Sequence, residues 1–243
     1  MSRSLFAICL LCCALVGCAA PRIDRALPIG SIGSSSEGRT IAASTFGHGP
    51  RRIYLIAGIH GDEPEGLRAL REIRIELSHA RHAQHTTVRL LEDLNPDGTA
   101  RGTRASSTRV DLNRAWPASN APVRSVLEPE VEAALRDMER FAPDLIVVLH
   151  SARSGPFVNF DGPAEAWAAR FVQGANNQLS LAGQPARWRI QPDMGYPTPG
   201  SMGSFWGKDR GIPILTIEFA RGAPATEVEP ALQGGLQAIL DHR

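Results

Sequence analysis

Four short segments of the chain are apolar enough to be strands: Ile53 to Ala57, Val88 to Leu91, Leu145 to Leu149 and Ile214 to Phe219. The first and third are apolar throughout, as strands covered on both faces are. Elsewhere apolar residues recur at helical spacing, as Leu67, Leu70, Ile73 and Leu77, then Val131, Leu135, Met138 and Ala142, then Trp167, Phe171, Ala175 and Leu179. The second of these helices opens on Glu128-Pro129-Glu130, an acidic first turn with proline near N1. A last helix is expected from Thr226-Glu227-Val228-Glu229, which has the capping-box pattern. Strands alternating with helices predict an α/β sandwich. Asn95 to Asn120 and Gln191 to Gly211 fit neither pattern, and loops that long in a compact domain are usually functional.

The N-terminus reads differently. Arg3 precedes an apolar run from Leu5 to Val16, shorter than the about 20 residues that cross a bilayer, so it reads as a secretory signal. Leu15-Val16-Gly17-Cys18 resembles a bacterial lipobox, which implies cleavage before Cys18 and lipidation of its thiol. Ala19 follows in place of the aspartate that retains enterobacterial lipoproteins at the inner membrane, which favours the outer membrane and a periplasmic location. The stretch to about Gly38 contains Gly30-Ser31-Ile32-Gly33-Ser34-Ser35-Ser36 and is expected to be a flexible tether. The organisation expected is therefore a signal at 1–17, a lipidated tether at 18–38 and a catalytic domain at 39–243.

With 43% hydrophobic residues and Lys+Arg 26 against Asp+Glu 25, the chain can bury a core and lacks the charge excess of a nucleic-acid binder. All its cysteines, Cys9, Cys12, Cys13 and Cys18, fall in the leader or at the lipidation site. The domain can form neither a disulfide nor a cysteine metal site.

The first apolar strand runs into Gly58-Ile59-His60-Gly61-Asp62-Glu63, which puts His60 and Glu63 in a turn at a strand end, where sites of open α/β sheets lie. Two ligands do not hold a catalytic zinc, and a third is needed with one position left open. His150, directly after the strand Leu145 to Leu149, is the candidate. Glu218 interrupts the apolar strand Pro213 to Phe219, where an unpaired buried carboxylate would cost several kcal/mol, roughly; it is expected to face a polar site and to act as a base. Arg101, Arg104, Arg109 and Arg114 cluster in an otherwise neutral chain and suit an anionic substrate group. His79, His82 and His85 lie in a polar stretch and read as solvated.

The motifs HGDE (His60 to Glu63), NPDG (Asn95 to Gly98), VDLNR (Val110 to Arg114), LHS (Leu149 to Ser151) and TIE (Thr216 to Glu218) together resemble the zinc carboxypeptidase family. Within it, Gly195 to Ser201 followed by Met202-Gly203-Ser204 looks like the small bacterial murein peptide amidases, which cleave the γ-D-glutamyl bond to diaminopimelate in peptidoglycan peptides. The resemblance implies a three-layer α/β/α sandwich with a mixed, mostly parallel sheet. It further implies one zinc ion on His60, Glu63 and His150, Glu218 as general base and then proton donor, and Arg104 beside the oxyanion. Asn113 and Arg114 would grip the substrate's terminal carboxylate, Met202 would line the side-chain pocket, and Tyr196 would close over the substrate. The pattern departs from the family at Arg109, where glycine is usual, and at Ala115-Trp116. Two alternatives stay open: a zinc deacylase of the succinylglutamate desuccinylase or aspartoacylase kind, and a lipoprotein that only binds wall peptide. Oligomeric state is not readable.

Overall fold

The computed structural model describes residues 30–77, 84–123 and 125–242. The signal at 1–17, Cys18, His79 and His82 lie outside these residues; His85 is exposed. The chain forms β1 (Gly30–Ser34), β2 (Thr40–Phe46), β3 (Arg51–Ile56), α1 (Pro64–Leu77), β4 (Thr86–Leu91), α2 (Pro96–Arg101), α3 (Pro129–Phe141), β5 (Leu145–Ala152), β6 (Phe157–Asp161), α4 (Glu165–Leu181), β7 (Ile214–Ala220) and α5 (Ala225–Leu240). A 3-10 turn at Leu112–Arg114 and a π-helical segment at Gly203–Asp209 interrupt the two long irregular stretches.

The strands make one 7-stranded sheet in the order β1-β2-β4-β3-β5-β7-β6. Its centre, β4-β3-β5-β7, is parallel, and the pairings toward both edges are antiparallel. Alternation along the strands divides the core in two. Ile53, Leu55, Leu145, Val147 and Leu149 face the layer of α1, α4 and α5, whereas Tyr54, Ile56, Ile146 and Val148 face α3 and the irregular stretches. The result is a three-layer sandwich. On the α3 side Arg89 is buried from β4, and Asp137 answers it with hydrogen bonds of 2.9 and 2.8 Å while also accepting from Tyr54 Oη at 2.9 Å, the bidentate geometry that a buried guanidinium requires.

The tether expected as far as Gly38 gives way to structure at Gly30. β1 pairs antiparallel with β2, and Ser35 Oγ donates to Asp97 Oδ1 at 2.7 Å while the Ser36 amide donates to Glu130 Oε1 at 2.7 Å. Composition hides this because backbone pairing and two buried carboxylates order the segment, not apolar burial. The capping box at Thr226 also does not form. α5 starts one residue earlier, after Pro224, and has no side-chain cap.

β3 leads through α1 to β4 on one side, and the chain later returns through α3 to β5 on the other side of β3. The crossovers diverge there, so a crevice opens at the carboxyl ends of β3 and β5. Asp97 fixes the loop that overhangs it: besides Ser35, it accepts from the Glu37 amide (3.0 Å) and Ser107 Oγ (3.0 Å) and pairs with Arg39 (2.6 Å).

Two positions near this loop test the description. Arg109 takes φ 63, a left-handed conformation that glycine adopts without a Cβ penalty. Arg109→Gly should raise stability by about 0.5–1 kcal/mol in denaturant unfolding. Asp93 accepts at Oδ1 from the Asn95 amide (3.1 Å) and Thr99 Oγ1 (3.0 Å), yet burial pushes its carboxyl up to about 6 from 3.8. The folded chain therefore holds this proton more tightly than the unfolded one, and stability from this group declines as pH rises from about 4 to 6. Asp93→Asn keeps the acceptor without the charge. It should be more stable than the parent at pH 7.5, by on the order of 1 kcal/mol, with the difference gone below pH 4.

Candidate metal centre and active-site cavity

Past β3 the chain turns through Gly58, whose φ of 66 places it against Asp93, where a side chain would not fit. The turn is closed by the Glu63 amide donating to His60 O at 3.2 Å. His60 and Glu63 thus meet just ahead of α1. His150 arrives inside β5 rather than after it, because the strand runs on to Ala152. His60 Nδ1 lies 3.0 Å from Glu63 Oε1 and His150 Nδ1 lies 2.8 Å from Glu63 Oε2, with the imidazole centroids 4.7 Å apart. One nitrogen or oxygen from each of the three buried residues falls within 4.8 Å of the others. Two imidazoles and a carboxylate with an open side are a donor set suited to a metal ion such as zinc.

The remote ring nitrogens are occupied as well. Asp111 Oδ1 lies 3.0 Å from His60 Nε2, and Asn113 Nδ2 lies 3.4 Å from His150 Nε2. Burial alone would raise the Asp111 carboxyl, but hydrogen bonding to His60 and the charges of His60 and Arg104 hold it well below the usual range. The same balance applies to Glu63: burial opposes ionisation, and His150 and His60 override it. For His60, burial is outweighed by hydrogen bonds to Asp111 and Glu63, so its pKa is raised. Asp111 is thus the carboxylate partner that fixes the His60 ring, as carboxylates do beside histidines that ligate metals. Asp111 stands in the VDLNR motif, but nothing in the local pattern of the sequence marks it as the partner of His60.

Glu218 pairs in register with His150 across β5 and β7. It is buried, makes no hydrogen bond among the described residues and lines the cavity. Burial pushes its carboxyl up to about 7, with His150 pulling it down and Glu63 pushing it further up. A carboxyl poised there can exchange protons near neutrality.

Arg104, Asn113, Arg114, Tyr196 and Met202 share with His60, Glu63, His150 and Glu218 one cavity of about 220 Å³. Arg104 reaches Glu63 Oε1 and Asp111 Oδ2, each at 3.1 Å. Asn113 Oδ1 accepts from the Met202 amide at 3.0 Å, which joins the two irregular stretches across the cavity. Met202 is buried, whereas Tyr196 stands exposed at the mouth. The arginine cluster divides: Arg104 and Arg114 face the cavity, Arg101 pairs with Glu37, and Arg109 is exposed. A further cation was missed. Arg221, at the end of β7, donates to Glu63 Oε1 and Ser151 O, each at 3.2 Å, and lines the same cavity. Its position three residues after Glu218 was the available signal.

Residues 50–229 match the family described as succinylglutamate desuccinylase/aspartoacylase catalytic domain. The chain is 28% identical to murein peptide amidase A of Vibrio campbellii, over 91% of this chain and 92% of that protein. Its fold is that of murein-tripeptide amidase from Escherichia coli O157 (TM-score 0.61, 22% identity, covering 92% of this chain and 97% of the other). It is also that of a metallo-carboxypeptidase from Burkholderia cenocepacia (TM-score 0.68, 20% identity, 88% and 65%). With His60, Glu63 and His150 gathered at the strand ends, the chain belongs to the succinylglutamate desuccinylase/aspartoacylase catalytic-domain family and is a hydrolase with the metallocarboxypeptidase fold.

Proposed function

We propose that this protein is a zinc-dependent amidase that releases the carboxyl-terminal residue of a small peptide, and that its substrate is the γ-D-glutamyl-diaminopimelate bond of peptidoglycan peptides. The observation that carries the reading is that one cavity gathers His60, Glu63 and His150, with donor atoms within 4.8 Å of one another, and Glu218, Asn113 and Arg114. The full-length likeness to an amidase of murein peptides supports the substrate. Zinc held by His60, Glu63 and His150 supplies Lewis acidity to the attacking water and the scissile carbonyl. Glu218 takes the proton from that water and returns it to the leaving amine. The Arg104 guanidinium faces the carbonyl oxygen as it gains charge. Asn113 and Arg114 hold the substrate's terminal carboxylate, which makes the enzyme an exopeptidase, and Tyr196 covers the mouth. Asp111 holds the His60 ring by its Nε2, which leaves Nδ1 turned toward Glu63, where His60 would help hold the metal.

The family match gives weight to a second reading, a deacylase of small N-acyl amino acids. The cavity argues for the longer substrate, since it continues past Tyr196 into a further compartment. The lipobox-like tetrad at Cys18 would hold such an enzyme at the periplasmic face of the envelope, next to peptidoglycan. Binding of wall peptide without turnover is the remaining possibility, and the base variant separates it.

Mass spectrometry of L-Ala-γ-D-Glu-meso-diaminopimelate after incubation with the zinc-loaded chain should find free diaminopimelate. Glu218→Gln should lower its release by about 10²–10⁴-fold while one zinc per chain is still measured by metal analysis. An intact tripeptide alongside a cleaved N-acyl amino acid would transfer the assignment to the deacylase. Asp111→Asn should weaken zinc by about 10–100-fold in chelator competition, a readout independent of turnover.

A further inference from the structure

Arg104, Arg114 and Arg221 all line the cavity that holds His60, Glu63 and His150. The first two belong to the long irregular stretch and have partners in the proposed reaction, the carbonyl oxygen and the terminal carboxylate. Arg221 has no such partner, although its backbone is held from both sides. Its amide donates to Ala152 O at 3.0 Å, one step beyond the β5–β7 pairing, and the next amide, of Gly222, donates to Glu65 Oε1 at 2.6 Å in the first turn of α1.

The guanidinium is not used up by what it touches. Nη2 donates to Glu63 Oε1 and Ser151 O, Nη1 donates to Asp62 O at 2.5 Å, and Nε donates to nothing among the described residues. The side chain is 33% exposed. Ser151 adjoins it, buried and lining the same cavity, with an Oγ that has no hydrogen-bond partner among the described residues. A guanidinium N–H and a hydroxyl thus stand side by side as donors without an acceptor.

The alternation of the strands says which part of a substrate comes here. On β5, Leu145, Val147 and Leu149 face the layer of α1, α4 and α5, and Ser151 follows them; on β7, Leu215, Ile217 and Phe219 do the same, and Arg221 follows. Asn113 and Arg114 lie on the other side, in the turn whose Leu112 and Ala115 pack in the core facing α3. His60, Glu63 and His150 stand between, at the strand ends. A peptide gripped by its carboxyl terminus at Asn113 and Arg114, with its amide over the strand ends, therefore extends its acyl residue toward Ser151 and Arg221. A carboxylate on that residue would accept from both donors, whereas a carboxamide would set an NH₂ of its own against the guanidinium.

We propose that Arg221, with the Ser151 hydroxyl beside it, binds a free carboxylate carried by the acyl residue, and that the enzyme thereby separates peptides whose glutamyl α-carboxylate is free from those in which it is amidated. The acyl residue is taken from the amide-hydrolase reading, on which this assignment rests.

The test compares turnover of L-Ala-γ-D-Glu-meso-diaminopimelate and its α-amidated counterpart, with D-isoglutamine in place of D-Glu, by the zinc-loaded chain. The parent should favour the free acid by about tenfold in kcat/KM, chiefly through KM. Arg221→Gln should bring that ratio to within about threefold, and Arg221→Lys, which keeps the charge without the fork, should fall between. Zinc content and the thermal unfolding midpoint control for damage to Glu63 or to the fold, since a purely structural arginine would depress both peptides alike. Equal loss on the two peptides, or a preference that survives Arg221→Gln, would overturn the assignment. Titration calorimetry with the acyl products L-Ala-D-Glu and L-Ala-D-isoglutamine reads the same contact without turnover. If neither tripeptide is cleaved but L-Ala-D-Glu binds more tightly in an Arg221-dependent way, the hydrolase substrate is wrong and the anion site stands. Cleavage of both tripeptides at equal efficiency has the opposite meaning, and absence of both cleavage and selective binding defeats the two together.

Discussion

The Glu63 carboxylate is buried immediately before the first turn of α1 and is surrounded by two imidazoles, the Ser151 amide, Arg104 and Arg221. An ionised carboxylate in such surroundings is tolerated only when its neighbours neutralise it and saturate its oxygens. The neighbours come from several parts of the chain. β5 brings His150 and Ser151, the overhanging loop brings Arg104, and the end of β7 brings Arg221. The helix N-terminus adds its own favourable field. The requirements of this one anion couple the strand ends to the loop, so the cluster of His60, Glu63 and His150 is part of what holds the upper edge of the sheet together. His60 would offer Nδ1 to a metal ion held by this cluster, with its Nε2–H donating to Asp111 at 3.0 Å.

Much of this was legible because burial on both faces leaves an unmistakable mark. The central strands and the helices α1, α3 and α4 are carried by apolar periodicity alone, and His60, His150 and Glu218 stand out as polar residues at the ends of apolar runs. What escaped obeys other forces. β1 contains Gly30, Ser31, Gly33 and Ser34 and buries little; its order comes from ladder bonds and from Asp97 and Glu130, residues 60 or more positions away. β6 is short and at an edge, and its signal is diluted by Asn159 and Asp161. Asp111 and Arg221 act by touching other side chains, and such contacts leave no local pattern.

The NPDG motif illustrates how a sequence signature can carry structure and function in separate residues. Asn95 caps α2 by accepting from the Gly98 amide at 2.9 Å. Gly98 has no room for a side chain beside Asn95. Asp97 faces away from the cavity and ties the loop to the β1–β2 hairpin. None of the four residues lines the cavity, yet Asn95 Nδ2 donates to Arg104 O at 3.3 Å and so holds the backbone from which Arg104 reaches Glu63.

The parallel register of β5 and β7 has a quieter consequence. His150 and Glu218 sit opposite each other on adjacent strands, so their separation is governed by the interstrand spacing of about 4.8 Å and not by any loop. Loops bordering the cavity can lengthen, shorten or change their chemistry, and the distance between His150 and Glu218 will persist. A slip of one residue between these strands would instead turn one of the two to the opposite face. The reactive geometry is therefore indexed to the lattice of the sheet, which leaves the surrounding segments free to diversify in what they recognise.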